Sequence, residues 1–572
     1  MGKKSLVKSG LVLSLMTFAS RIMGLVREMT KASFLGTTSS ADAFGIAFMI
    51  PNLFRRLFAE NSISVAFIPT FKGYIEDDNS KQNHETIQQF VSSTLTLFSF
   101  FSACVVVLGM IFTPLIIPFF YDKGVSQEIL NETSFLTRLM FPYLFVISVA
   151  AFFQGILNGC NIFAPSGFTP VLFNAIVIAI TYALTPVLQA SFPNLDNEVV
   201  AARAMSFGVI TGGCFQALFQ WPFIRKTGWK TTVTGLKKAF TNPGTKKVVM
   251  LIVPTIIGMA AYQLNDLVST AVAGKIGEGV VSSLQYSLRL QELILGIFAV
   301  SIGTVILPDL SALAKRKEWE NFNSILIRSV KIIALITIPV TFYSLVCGKD
   351  LISLIYKTNK FDDNSVLQTL NVFVFHIAGL FFIALNRIIS PAFYAQGNTK
   401  LPTLAGTLSF AFNILFVMIF AWPFKTVSIA TPLSRIFSVS ELTVKSCGIA
   451  FSLSLSSLMN TIFLFIFMKK MPSINAKLLA KNMIIYIVRM ISFSVIAAVP
   501  VYFLRPYLLG AFSGHHRFIS YGVPVLISAI VFALIGILLL FVFKDENAQV
   551  IKDGTKKIFS KFKKSKNQVK EN

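Results

Sequence analysis

Apolar runs of about twenty residues, the length an α-helix needs to cross roughly 30 Å of hydrocarbon, recur along almost the whole of this chain. Clear examples are "FVSSTLTLFSFFSACVVVLGMIFTPLIIPFF" (90–120), "SVKIIALITIPVTFYSLVC" (329–347), "LPTLAGTLSFAFNILFVMIFAW" (401–422) and "YGVPVLISAIVFALIGILLLFVF" (521–543). A bilayer offers the backbone no water, so each run has to satisfy its own amides and carbonyls as helix. Hydrophobic residues make up 54% of the sequence and charged ones 13%, with a mean hydropathy of +0.69, a balance outside that of soluble domains. The pattern predicts fourteen spans, centred near residues 21, 56, 102, 146, 178, 213, 260, 295, 337, 381, 411, 456, 493 and 532. The expected fold is an all-α polytopic membrane protein whose first, second and eighth spans are the most polar.

The 51 Lys and Arg against 26 Asp and Glu give a formal charge of +25, which in a soluble protein would point to nucleic acid. Their placement excludes that reading. Residues 225–247 hold Arg225, Lys226, Lys230, Lys237, Lys238, Lys246 and Lys247 and no acid. In a fourteen-span count this segment, the loop "KKMPSINAKLLAKN" (469–482), the N-terminal "MGKK" and the Lys-rich tail fall on one side, which the positive-inside rule makes the cytoplasm. The acidic loop "IEDDNSKQNHE" (75–85) falls there too, but the rule counts Lys and Arg. The tail "KKIFSKFKKSKNQVK" (556–570) either lies on an anionic inner leaflet or is solvated. The first apolar run, interrupted by Arg21 and Arg27 and leading into further spans, reads as a span and not as a cleaved leader. Cys104, Cys160, Cys214, Cys347 and Cys447 have no metal-ligand spacing and read as packing residues.

An internal repeat organises the spans. "LFAENSISVAFIP" (57–69) recurs as "IFAVSIGTVILP" (297–308), and "NGCNIFAPSGFTPVLFNAI" (158–176) as "QGNTKLPTLAGTLSFAFNIL" (396–415). The pairs Phe58/Phe298, Pro69/Pro308, Gly159/Gly397, Pro165/Pro402 and Asn174/Asn413 are offset by 240, 239, 238, 237 and 239 residues. Six spans lie within that offset, so the copies share one orientation and are related by a pseudo-two-fold axis along the membrane normal, which sets a substrate path between two lobes. The expected organisation is an N-terminal lobe (1–226, spans one to six), a C-terminal lobe (247–469, spans seven to twelve), two extra helices (483–543) and a basic cytoplasmic tail (544–572).

A charge at mid-membrane costs on the order of 2.5–3.5 kcal/mol on insertion scales, so it persists where it faces protein or a wet cavity. The first two spans hold Arg21, Arg27, Asp42, Arg55, Arg56 and Glu60, and spans seven and eight hold Asp266, Arg289 and Glu292. Arg21 and Arg27 are about 120° apart on a helix, with Gly24 on the Arg21 side, and border one polar sector. Adjacent Arg55 and Arg56 can divide between the cavity and a headgroup. Arg289 and Glu292, three apart, can pair across a turn. Basic groups outnumber acids in the first two spans, so the cavity suits an anion. A guanidinium grips carboxylate or phosphate with two parallel hydrogen bonds and keeps its proton when desolvated.

The segments "SRIMGLVRE" (20–28), "ADAFGIAFMIPNLFRRLFAEN" (41–61) and "AFIPTF" (66–71) resemble the signature of the MurJ (MviN) lipid II flippases, within the multidrug/oligosaccharidyl-lipid/polysaccharide exporter superfamily. The similarity runs through spans one to twelve. It implies a fourteen-helix transporter of the bacterial cytoplasmic membrane that moves undecaprenyl-diphosphate-linked disaccharide pentapeptide outward for peptidoglycan synthesis, with lipid II and membrane lipids as partners and the cell-wall synthesis machinery as a candidate partner. By the same resemblance Arg21, Arg27, Arg55 and Arg289 receive the diphosphate, Asp42 is functionally sensitive, and the last two helices form a groove for the polyprenyl tail. Gly24, Asp42, Arg56, Glu60 and Glu292 are the residues expected to gate or support the site. Two positions depart from the family's pattern: Leu288 stands where many members carry an acid, and residues 402–422 contain no acid, only Asn413. Asp266 is thus a candidate ligand for Na+ without the second carboxylate that some members use.

No Gly-x-x-x-x-Gly-Lys-Ser/Thr loop occurs, so the chain offers no nucleotide site and no cofactor is expected; membrane potential is the alternative drive. An exporter of cationic drugs would need an acid-rich cavity. An exporter of another polyprenyl-linked glycan would carry the same diphosphate and stays open on the residues alone. A membrane enzyme acting on polyprenyl phosphates would need an acid–base or nucleophilic constellation, and His84, His376, His515 and His516 form none.

Overall fold

A computed structural model describes residues 3–60, 63–76, 81–421, 430–471 and 473–548. The basic tail from 549, the acidic stretch 77–80 and residues 422–429 lie outside the described residues, as do the side chains of Phe58, Glu60 and Phe298. Among the described residues there is no strand. The helices, in order, are α1 (Lys3–Leu35), α2 (Ser39–Phe54), α3 (Ile68–Glu76), α4 (Lys81–Ile116), α5 (Gln127–Gly159), α6 (Ala164–Ser191), α7 (Asn197–Arg225), α8 (Leu236–Thr241), α9 (Pro243–Ile276), α10 (Val280–Arg316), α11 (Trp319–Tyr356), α12 (Asp363–Ala378), α13 (Leu380–Tyr394), α14 (Lys400–Ala421), α15 (Ala430–Phe437), α16 (Glu441–Met468), α17 (Ala476–Ala511), α18 (Arg517–Ser520) and α19 (Gly522–Val542).

The chain is an all-helical polytopic membrane protein. Among the described residues ten helical segments are long and apolar enough to cross a membrane: α4 to α7, α11, α12 with α13, α14, α16, α17, and α18 with α19. Outside that set, α1, α9 and α10 run for 33, 34 and 37 residues, about 50–55 Å of helix each, and carry most of the charged residues singled out above. α2 holds Pro51 and passes into a π-helical stretch, Arg55–Glu60, followed by another, Ile63–Phe67. Such wide turns in a helix are frequent at functional positions.

Helix ends follow local chemistry. α1 stops because Gly36 takes φ +57°, its N–H bonded to Ala32 O at 3.0 Å; a side chain there would also strike the Lys360 carbonyl. Two residues on, Thr38 opens α2 by accepting from Ala41 N at 3.4 Å, and Asn475 does the same for α17 at Leu478 N. These caps satisfy amides that the first turn of a helix leaves unpaired.

The chain forms two compact units, each drawn from several stretches. One comprises Met1–Ile297, Tyr356–Phe373 and Thr403–Ser456. In it α1, α2, α5, α6 and α7 bury Leu35, Phe44, Met140, Tyr143, Phe173 and Met205 in one core. A second core stacks Phe67 on Phe71, Phe90 and Phe152, with ring centroids 5.3, 5.6 and 4.7 Å apart. The other unit comprises Phe298–Ile355, Val374–Pro402 and Ser457–Asn572. There α11, α17 and α19 bury Cys347, Ala497, Val501 and Phe532 together, and Tyr343 donates to Val525 O at 2.7 Å. His376 is buried and all five cysteines are free.

Polar contacts fasten α17 to its neighbours near both ends. Arg505 grips Asp350 of α11 with two hydrogen bonds, Nη2 to Oδ1 at 2.8 Å and Nε to Oδ2, and the Asp350 side chain is 4% exposed. Near the opposite end Asp545 accepts from Arg489 and from Tyr486, each at 3.1 Å. Breaking a buried pair strands a charge, at about 3–5 kcal/mol, whereas replacing both partners by apolar residues is often near neutral. Arg505→Ala should therefore destabilise the protein by about 3 kcal/mol in detergent unfolding, and the Asp350→Leu/Arg505→Met double variant should recover most of the loss. Equal stability of Arg505→Ala and the parent would show the pair to be idle.

Candidate functional site

On α1 the residues Arg21, Gly24, Arg27, Glu28 and Lys31 fall within one sector of about 120°, so they form one broad stripe along the helix. On α10 Gln285, Arg289, Glu292 and Gly296 form another. The two stripes face each other with the helices antiparallel. Arg21 Nη1 donates to Glu292 O at 3.3 Å. Lys31 Nζ, about one turn beyond Arg27, donates to Gln285 Oε1 at 2.8 Å.

Two glycines make the approach possible, and they do so reciprocally. A Cβ on Gly24 of α1 would fall on the Arg289 guanidinium, and a Cβ on Gly296 of α10 would fall on that of Arg21. Each arginine thus reaches the other helix where a side chain is missing. Arg289 also pairs with Glu292 one turn along, at 3.3 Å, with side chains 29% and 51% exposed. Gly24 is a clearance for Arg289, a role its neighbourhood to Arg21 in sequence does not reveal.

Arg27 is held by its chain neighbour: Nη2 lies 2.7 Å from Glu28 Oε1, with side chains 18% and 13% exposed. Its guanidinium sits 5.5 and 5.9 Å from the ring centres of Phe48 and Phe173, contacts that favour a desolvated cation. Lys31 is 3% exposed and lies 5.0 Å from the ring centre of Tyr286 and 5.8 Å from that of Phe44. Neither Glu28 nor Lys31 enters the sequence-based set of site residues. The signal that would have found them is their place on the Arg21–Gly24–Arg27 stripe.

Asp42 sits at the end of this seam and is 4% exposed. Its carboxylate accepts from the backbone N–H of Gly279 and of Ser282, both at 2.7 Å, and so caps the N-terminus of α10, where backbone donors and the helix dipole favour an anion. Around it Ser39 N donates to Glu278 Oε1 at 2.7 Å, Tyr286 Oη donates to Gly36 O at 2.9 Å, and Thr37 and Ser365 share a 2.8 Å hydrogen bond. The ends of α1, α2, α10 and α12 are joined here.

The remaining cations form a separate group. Arg55 Nε donates to Asn52 Oδ1 at 2.8 Å. Arg56 Nη1 lies 3.4 Å from Asp266 Oδ2 and 3.4 Å from Gln263 Oε1 on α9, so the candidate cation ligand Asp266 is paired with a guanidinium. Asn413 donates to Asn265. No cluster of three or more His, Cys, Asp or Glu side chains suited to a metal occurs among the described residues. Counted together, Arg21, Arg27, Lys31, Arg55, Arg56 and Arg289 are six cations against the four carboxylates Glu28, Asp42, Asp266 and Glu292. The surplus is positive, and most of the described carboxylates are engaged by named donors.

Comparison with known proteins follows the same lines. A family profile described as "Lipid II flippase MurJ" matches residues 31–444. A "Probable lipid II flippase MurJ" of Treponema pallidum is 43% identical over 96% of this chain and 97% of its own length. One of Vibrio cholerae is 32% identical over 77% of this chain and 82% of its own. A solved structure, "Lipid II flippase MurJ, inward closed conformation", superposes with a TM-score of 0.71 at 23% identity, covering 95% of this chain and 100% of that one. An inward-facing multidrug resistance MATE family transporter of the MOP superfamily superposes at 0.60 with 14% identity, over 79% of this chain and 95% of that one. Both structural likenesses speak to fold.

The Asp42 cap yields a graded test. Hydrogen bonds to a charged group contribute about 1.5–3 kcal/mol each, and a buried donor left unpaired adds its desolvation cost. Asp42→Ala strands two amides and should lower unfolding stability by about 3 kcal/mol or more. Asp42→Asn keeps one acceptor and should fall between Ala and the parent. Chemical unfolding in detergent measures the order, and a stable Asp42→Ala protein would remove the cap from the account.

Proposed function

Because the chain belongs to the MurJ family of lipid II flippases, a family of transporters and not of enzymes, we propose that it carries lipid II from the inner to the outer leaflet of the bacterial cytoplasmic membrane by alternating access. In this reading the chain makes fourteen spans with both termini in the cytoplasm. Spans one to six and seven to twelve are the two lobes, and α17 with α19 offers the groove for the polyprenyl tail.

The observation that carries the reading is the pair of facing charged stripes on α1 and α10. Arg21 and Arg289 lie across glycines and bond to a backbone carbonyl and to a half-exposed carboxylate. A diphosphate entering the seam offers stronger, bidentate acceptors than either. It would take Arg289 from Glu292 and Arg27 from Glu28, so substrate and resting contacts exclude each other. Arg55, at the start of the π-helical stretch, completes the proposed binding set, with Arg56, Gly24, Asp42 and Glu292 in support. The bonded ends of α1, α2, α10 and α12 support a state closed toward the outer leaflet.

Moving negative charge outward across an inside-negative membrane is favoured by about 2.3 kcal/mol per charge per 100 mV when the arginines stay behind, and we take this as the drive. Coupling to Na+ would require Asp266 to exchange Arg56 for the ion. Other polyprenyl-diphosphate glycans present the same headgroup to these arginines, and the family similarity favours lipid II among them.

Arg27→Ala should reduce lipid II export at least tenfold, read as outer-leaflet accessibility of labelled lipid II, with the protein still folded in the membrane. Full export by this variant would remove the diphosphate role. A shifted voltage dependence with export retained would instead make Arg27 a gate.

A further inference from the structure

A cavity of about 840 Å3 opens between α11, the start of α17 and the segment after α19, remote in sequence from the arginine stripes. One face of α11 lines it from Trp319 and Glu320 to Arg328 and Lys331, and Asn475, Leu478, Glu546 and Asn547 close the other side. Three helices bring their hydrocarbon boundary to this place. The apolar run of α11 begins at Ser329, that of α17 a little beyond Asn475, and that of α19 ends just before Glu546. The cavity therefore opens at the depth of the lipid headgroups. Lys315, Arg316, Lys317, Lys469, Lys470, Lys477 and Lys481 surround it in sequence, which marks a cytoplasmic face.

Its wall is already organised. Asn323 donates to Trp319 O at 2.7 Å and to Ser473 O at 2.9 Å and accepts from Asn475 N at 2.9 Å. Asn475 itself caps Leu478 N at 3.0 Å. Lys331 reaches both oxygens of Glu546 at 2.9 Å. Arg328 is exposed and, among the described residues, in no ion pair. Along α11 the carboxylate of Glu320 comes first and the cations Arg328 and Lys331 follow about 12–16 Å deeper. That is the order of charges in a phospholipid whose amine projects outward from its phosphate, with the acyl chains deeper still.

We propose that this cavity binds a phosphate diester of the cytoplasmic leaflet, the headgroup of an amine-bearing phospholipid, with the phosphate at Arg328 and Lys331 and the ammonium at Glu320. The volume falls in the range of small-ligand sites. Of the function proposed above, the assignment uses only the membrane sidedness.

Native mass spectrometry of the full chain in detergent tests it, with phosphatidylethanolamine, phosphatidylglycerol and water-soluble glycerophosphoethanolamine as probes. Arg328→Gln should weaken phosphatidylethanolamine binding about tenfold, the effect of one charge-assisted hydrogen bond. Glu320→Gln should erase the preference for phosphatidylethanolamine over phosphatidylglycerol. Both side chains are exposed, so unfolding temperatures should stay at the parent's value. Unchanged affinity in Arg328→Gln, or equal binding of the two lipids by the parent, overturns the proposal. Displacement of lipid by equimolar glycerophosphoethanolamine overturns the lipid source and makes the site one for a soluble phosphoester. Phosphatidylethanolamine binding in Arg27→Ala should equal the parent's, so failure of this site and failure of the flippase reading are separable.

Discussion

A charge that cannot face lipid must face another polar group, and this constraint accounts for the arrangement of α1 and α10. Each helix carries a stripe of polar and charged side chains that would cost several kcal/mol against hydrocarbon. Turned toward each other, the stripes meet as Arg21 with the Glu292 carbonyl, Lys31 with Gln285, and the Arg289 guanidinium with the backbone at Gly24. The contacts named there are polar, apart from the Tyr286 ring against Lys31.

The reciprocal arginine-over-glycine packing adds geometry to the electrostatics. Gly24 and Gly296 leave room for a guanidinium to rest against a helix backbone, in the place a Cβ would take. The stripe then ends at Asp42, whose two 2.7 Å bonds to the amides of Gly279 and Ser282 tie α2 to the start of α10. A carboxylate that counts as one negative charge in the sequence thus serves as a helix cap. Arg27, the most suggestive cation in the sequence, is balanced by Glu28 beside it.

α11, α17 and α19 are held together differently. Their contacts combine an apolar centre around Val501 and Phe532 with ion pairs near both ends, Asp350 with Arg505 and Asp545 with Arg489. In each pair the carboxylate is the buried partner, so removing its arginine would strand a charge. Glu546 and Asn547, next to Asp545, also line the cavity beside α11.

The helical, membrane-spanning character was legible because hydropathy is a local property: roughly twenty apolar residues in sequence have one way to cross a bilayer. The charged residues of interest were legible too, since desolvation marks any ionisable group inside such a run whatever surrounds it. Partners were not. Arg21 meets Glu292 across 271 positions, Lys31 meets Gln285 across 254, and Arg56 meets Asp266 across 210. Glu28 and Lys31 share the Arg27 stripe and take partners there, and Asp266, in isolation a candidate cation ligand, faces the Arg56 guanidinium. The amino-acid sequence by itself determined where the helices run and which side chains must be hidden from lipid. Only the tertiary structure decided which hidden charges neutralise one another, because that depends on how distant helices pack and on where a missing side chain lets them touch.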